Sequence, residues 1–155
     1  MIRFDYGKMF FDSKAVISRV DKATRRVFSR FGAFVRNTAR KSIRKVSGKK
    51  KLPSRPGQPP KSRKGHLKRF ILFGYDAGRR SVVIGPKALG SRPQAPEALE
   101  YGGKSRVNVW TGKWEWHGKP ERAPKNVHVR PRPYMGPAFD KELPQLPQMW
   151  RDSVR

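Results

Sequence analysis

The sequence predicts an α+β fold: a long N-terminal amphipathic helix, a small mostly antiparallel sheet, a short helix and a C-terminal helix. Three observations carry this. A proline-free stretch from residue 13 to about residue 46 repeats its apolar residues at helical spacing. Beyond Gly65 the pattern shortens to the alternation of strands. Residues 136–154 return to helical spacing, interrupted by prolines. At 155 residues the chain is long enough for one domain, residues 1–155, and too short for two of full size. Its 35% hydrophobic content makes a thin core, helped by 9 Phe, 4 Tyr and 4 Trp, while 14 glycines and 14 prolines favour many turns.

In the first helix Val16, Val20, Ala23, Val27 and Phe31 step by four, three, four and four, and Phe34 extends the row. Arg19, Lys22, Arg25, Arg26 and Arg30 fall on the other side. Asp12 or Ser13 can cap the start, since either side chain accepts from an orphan amide of the first turn. A second row, Phe28, Val35, Ala39, Ile43 and Val46, is displaced by roughly a quarter turn at 3.6 residues per turn. Gly32 lies at the handover and permits a bend or a close helix contact. A helix of this length spans roughly 50 Å, longer than a ~30 Å small domain. Two readings follow: a bent core helix, or a second row that packs on a neighbouring subunit. The second makes Phe28, Val35, Ala39, Ile43 and Val46 candidate interface residues.

Residues 47–65, SGKKKLPSRPGQPPKSRKG, form a basic, proline-rich connector with Leu52 as its only large apolar residue. Such a segment cannot bury enough surface to offset the entropy of ordering it alone, so it reads as a functional loop or a disordered one. Residues 67–75 and 81–85 read as strands joined by a turn at 76–80. Residues 96–101 (PEALEY) read as a helix begun by proline and stopped by Gly102 and Gly103. Residues 107–110 and 113–116 flank Thr111-Gly112 as a tight hairpin, and 126–130 is a further strand. In the tail Phe139, Leu143, Leu146 and Trp150 follow 4-3-4 spacing. Pro137 suits a first turn, whereas Pro144 and Pro147 kink or split the helix.

Charge is placed unevenly. Against 37 Lys and Arg stand 11 Asp and Glu, a net +26. Residues 14–69 hold 20 of the basic residues and a single acid, Asp21; residues 1–13 balance, and residues 70–155 hold 15 basic residues against 8 acids. This asymmetry points to an acidic partner. The absence of cysteine excludes disulfides, thiolate metal sites and cysteine nucleophiles, and fits a reducing compartment. No secretory signal and no run of ~18 apolar residues is present, so a soluble protein with no membrane partner is expected.

Chemistry is scarce. His66, His117 and His128 lie in three segments without metal-ligand spacing. Glu97 and Glu100 sit three apart on a short helix, where an exposed turn is the ordinary reading. Gly85-Pro86-Lys87 lacks the frame of a phosphate loop. The expectation is a protein that is not an enzyme, with no catalytic residue, metal, cofactor or small-molecule substrate. As a nucleic-acid binder the basic region would contact backbone rather than read bases, because no helix-turn-helix, zinc-finger or RRM signature accompanies it. Trp114 and Trp116, two apart on one strand face, read as packing residues.

Four segments together resemble a known family. SRPGQPPKSRKGHLKRFI (residues 54–71) resembles the SxPGxPPxxxxGxLxxxI pattern of the tail-completion, or head–tail joining, proteins of long-tailed double-stranded DNA bacteriophages. VVIGP (82–86) looks like that family's sheet strand, and PEALEYGG (96–103) is similar to its helix-to-glycine turn. RPRPYMGPAFDKELPQLPQMW (130–150) looks like its closing motif and terminal helix. The four run in the family's order over residues 14–154; residues 104–129 match no family motif.

The resemblance implies an α+β structural protein of the virion neck, assembled in the host cytoplasm. It implies a self-associated ring, sixfold in expectation, beside head-completion, tail-terminator or tail-tube proteins and the end of the genomic DNA. On this reading Lys49, Lys50, Lys51, Arg55, Lys61, Arg63, Lys64, Lys68 and Arg69 contact DNA or an acidic neighbouring ring. A tail-terminator ring protein of the same neck is the near alternative. A free, non-specific nucleic-acid-binding protein is the alternative from another class, with a ribosome-associated basic protein behind it.

Overall fold

A computed structural model describes residues 12–46, 54–62, 65–87 and 95–153. The architecture is α+β: a long first helix, small two-stranded sheets, a short helix and a C-terminal helical segment. Helix α1 (Ser13–Ser42) runs 30 residues without a break. Asp12 caps it, its carboxylate accepting from the Ala15 amide at 3.0 Å, which satisfies one of the donors a helix start leaves unpaired. Ile43 turns extended at φ −78° and ψ 109°, so the helix stops about a turn before the expected end. Gly32 serves close contact, not a break. A Cβ at this position would lie 2.8 Å from Val82 Cγ2 and 2.9 Å from Phe73 Cδ2.

Those two side chains belong to an antiparallel ribbon laid against α1, formed by β3 (Ile71–Asp76) and β4 (Ser81–Pro86). Ahead of it come two-residue strands β1 (Arg44–Lys45) and β2 (Lys61–Ser62) and a one-turn helix α2 (His66–Arg69). The turn after β3 is built by Asp76, whose Oδ1 accepts from the amides of Gly78 (3.0 Å) and Arg79 (3.2 Å). The strand expected over 67–75 is therefore shorter. Gly65 at φ 76° starts a helical turn that carries Leu67 inward, and extended backbone begins only at Ile71.

Helix α3 (Ala95–Tyr101) stops where Gly102 and Gly103 take φ values of 78° and 117°, as expected of its glycine pair. β5 (Gly103–Trp114) and β6 (Pro120–Val129) then form a long antiparallel ribbon from Gly103 opposite Val129 to Trp114 opposite Pro120. The expected hairpin about Thr111-Gly112 does not form. The reversal lies at residues 115–119, closed by the Glu115 amide donating to the Lys119 carbonyl at 2.8 Å. Residues 120–129 offer a longer partner strand than 113–116 could, and Gly112, at φ 89°, sits within a register shift between Trp110 and Trp114. The tail divides at its prolines into α4 (Gly136–Glu142), a 3₁₀ turn (Leu143–Gln145) and α5 (Leu146–Arg151). Each proline occupies the first turn of its segment, where no amide is needed.

The core gathers Phe31, Val35, Ala39 and Ile43 from α1 with Leu67, Ile71, Tyr134 and Ala138. This corrects the subunit-interface expectation for Val35, Ala39 and Ile43, which are buried within this chain. Phe28, half-buried, meets the Trp150 ring edge-on at 5.8 Å, and Val46 is half-buried as well. The two rows are offset because α1 changes neighbours along its length. The row toward its C-terminal end faces the β3–β4 ribbon and α4, and these complete the core around it. Exposure instead falls on the first two turns of the other row, where Val16 is 44% and Val20 52% accessible.

Candidate functional site

The second half of the connector is docked, not free. β2 pairs in parallel with β1, Arg44 opposite Lys61 and Lys45 opposite Ser62, and the Val46 amide donates to the Ser62 carbonyl at 3.1 Å. The Gly57 amide donates to the Pro131 carbonyl at 2.9 Å, and Arg132 Nε donates to the Ser54 carbonyl at 3.0 Å. Ser54 and Pro60 are buried. Backbone hydrogen bonds thus anchor a segment whose side chains alone could not, and composition gives no sign of them.

The same corner receives α3. The Arg132 amide donates to the Leu99 carbonyl at 2.6 Å. Glu100 reaches across to the start of α4: one carboxylate oxygen accepts from the amides of Tyr134 (2.9 Å) and Met135 (3.1 Å), the other from Gly136 (2.8 Å). A negative side chain is well placed there, because the amides before a helix lack internal partners. The exposed turn expected of Glu97 and Glu100 thus describes Glu97 alone. Tyr134 is buried beneath, and its hydroxyl has no partner among the described residues. Burial pushes its phenol well above the ordinary value, and the negative Glu100 adds to the shift.

Of the expected basic contacts, Arg55, Lys61, Lys68 and Arg69 are exposed, whereas Lys49, Lys50, Lys51, Arg63 and Lys64 lie outside the described residues. The structure brings Lys61 to Lys41 and Arg44, two residues not singled out from sequence. Together with Ser42, Ser54 and Gln58 they line a cleft of about 420 Å³ between the end of α1 and the docked loop. The signal for these two was present. They flank Ile43, the last core position of the inward row, so they mark where the helix stops and its cations meet the returning loop. Among the described residues neither Lys41, Arg44 nor Lys61 forms an ion pair; the pairs that form are Arg80 with Asp21 at 3.1 Å and His117 with Glu115 at 3.1 Å.

The three histidines stay apart, and the described residues contain no cluster of His, Asp and Glu able to hold a metal ion. Among these residues no helix is long and apolar enough to cross a membrane. The tryptophans depart from expectation: Trp110 and Trp114 meet edge-on at 6.2 Å on the outer ribbon, and Trp116, at its turn, is 94% exposed. Trp114 and Trp116 are not packing residues of this chain's core. Comparison with known proteins finds no matching family model, curated protein or solved structure.

Proposed function

We infer that the chain is a structural subunit of the neck of a long-tailed bacteriophage, a tail-completion protein that assembles as a sixfold ring and joins the tail to the DNA-filled head. One observation carries the reading. Three of the four segments that resemble the family meet in one corner of the fold. The SRPGQPP loop bonds to the RPRPY segment through Gly57–Pro131 and Ser54–Arg132, and the PEALEYGG helix bonds to it through Leu99–Arg132 and Glu100. Residues far apart in sequence recur together when they build one junction, so their convergence supports a shared fold rather than scattered coincidences. The exposed start of α1 and the outlying β5–β6 ribbon suit a subunit that completes its burial against neighbours.

The test is the mass of the purified full chain by light scattering, alone and after incubation with tails from the phage that carries its gene. A ring in either condition is expected; a monomer that ignores tails in both would overturn the reading. The runner-up, a free non-specific nucleic-acid-binding protein, draws on the cationic cleft and predicts salt-sensitive DNA binding with no ring.

A further inference from the structure

We propose that the cleft lined by Lys41, Arg44 and Lys61 is a binding site for the phosphodiester backbone of nucleic acid. The site deepens the neck reading by naming what its basic surface meets, yet it stands on different observations. The first is the register of the β1–β2 bridge. It sets Arg44 directly opposite Lys61, and the cleft adds Lys41. Like charges placed opposite one another across a strand pair are destabilising. Here the backbone imposes the pairing, because Val46 and Ser62 continue the same hydrogen-bonded bridge. Among the described residues no carboxylate lines the cleft to relieve the repulsion, and none of the three cations is ion-paired. An external anion is the missing counter-charge.

The lining also distinguishes the kind of anion. Around the three cations stand Ser42, Ser54, Gln58 and Pro59, with no aromatic and no large aliphatic side chain among the described residues that line it. A protein interface places an apolar core inside its polar rim. A cleft with charge and hydrogen-bonding groups but no apolar floor suits a ligand that offers charge and oxygen acceptors alone. The described lining also lacks the aromatic platform on which unpaired bases stack, so contact is with phosphates and independent of sequence. About 420 Å³ accommodates a phosphodiester group with its flanking sugars. The adjoining cleft, which shares Lys41, Ser42 and Pro59, adds Lys141 but also Glu142, so the anion path is favourable on the loop side of Lys41.

The experiment measures binding of the full chain to a fluorescein-labelled 20-base-pair duplex of mixed sequence by anisotropy across a salt series. Each phosphate contact contributes a slope of about 0.9 in log K against log salt. Replacing Lys41, Arg44 and Lys61 by Gln should therefore lower the slope by about 2.7, which at 0.15 M salt is a loss on the order of a hundredfold. A control of equal charge change, Lys104, Arg122 and Lys125 to Gln on the exposed ribbon, should cost no more than a fewfold. Lys61→Glu alone, on an exposed two-residue strand, repeats the test should the triple variant unfold, and should lower the slope by at least one contact. Equal losses in cleft and ribbon variants would overturn the proposal, since net charge alone would then explain binding. So would competition by polyglutamate as effective as by unlabelled duplex at equal charge. Ring assembly is read separately by light scattering, so failure here and failure of the neck reading are distinguishable.

Discussion

Replacing Glu100 by Ala should loosen the junction that joins three distant parts of the chain. Its carboxylate accepts from three consecutive amides, those of Tyr134 and Met135 partly buried and that of Gly136 exposed. A hydrogen bond to a charged group contributes about 1.5–3 kcal/mol. The exposed amide finds water when the carboxylate leaves and is counted as nothing. The two partly buried ones then give about 3–6 kcal/mol, and partial hydration of the vacated corner reduces this to about 2–4 kcal/mol. Glu100→Gln discriminates further. It keeps one acceptor oxygen but turns an NH₂ group toward an amide donor, so it should recover less than half of the loss. Urea unfolding followed by far-UV circular dichroism reads the effect. With a slope of about 2 kcal/mol per molar urea, the Ala variant's midpoint should fall by about 1–2 M. A fall worth less than about 0.5 kcal/mol would refute the reasoning, because the three contacts would then be no better than water contacts.

Two further substitutions probe the packing of the core, one where α1 meets the β3–β4 ribbon and one beneath that junction. Gly32→Ala gains about 1 kcal/mol of helix propensity but drives a methyl group to within 2.8 Å of Val82 and 2.9 Å of Phe73, an overpacking cost of about 1–3 kcal/mol. The melting temperature should drop by a few degrees; a rise would show that the ribbon yields freely. Tyr134→Phe removes a buried hydroxyl that has no partner among the described residues, so it should be neutral or stabilising by up to about 1 kcal/mol. The pH dependence has a definite sign. The folded chain holds the Tyr134 proton above the ordinary value of 10.0, while the unfolded chain releases it there. Stability therefore holds below about pH 10 and declines as pH rises beyond it, with a slope approaching 1.36 kcal/mol per unit. The Phe variant should lose that part of the alkaline decline, and an unchanged decline would place its origin elsewhere.

The fold was most legible where one local period ran long without a competitor. The repeat from Val16 to Ile43, uninterrupted by proline, could be nothing but a helix, and the prolines at 137, 144 and 147 announced how the tail divides. Legibility failed where the answer lay in distant partners. Nothing local distinguishes Val35, Ala39 and Ile43 from an interface row, because whether such a row is covered by the same chain depends on where Ile71, Tyr134 and Ala138 arrive. Thr111-Gly112 and His117-Gly118 both carry turn chemistry, and only the length of the strand beginning at Pro120 decides between them. The site divided likewise. Charge marked Arg55, Lys61, Lys68 and Arg69, but backbone register joined Lys61 to Arg44 and Lys41.

The few acids in the chain explain why so much positive charge remains available. Asp12 caps α1, Asp76 builds the β3–β4 turn, and Glu100 serves three amides. Glu142, buried, accepts from the Thr38 hydroxyl at 2.6 Å and from the Gln145 amide group at 3.0 Å. Each of these carboxylates is engaged by backbone or neutral donors, and among the described residues none of them forms an ion pair with a lysine or arginine. The Arg80–Asp21 bridge is exposed, where such pairs contribute little. These four acids therefore act as fasteners of the fold, and Lys41, Arg44 and Lys61 form no ion pair among the described residues. Where α1 ends and the loop returns, the β1–β2 register sets Arg44 opposite Lys61 with Lys41 beside them, and no ion pair among the described residues relieves the repulsion of these three cations.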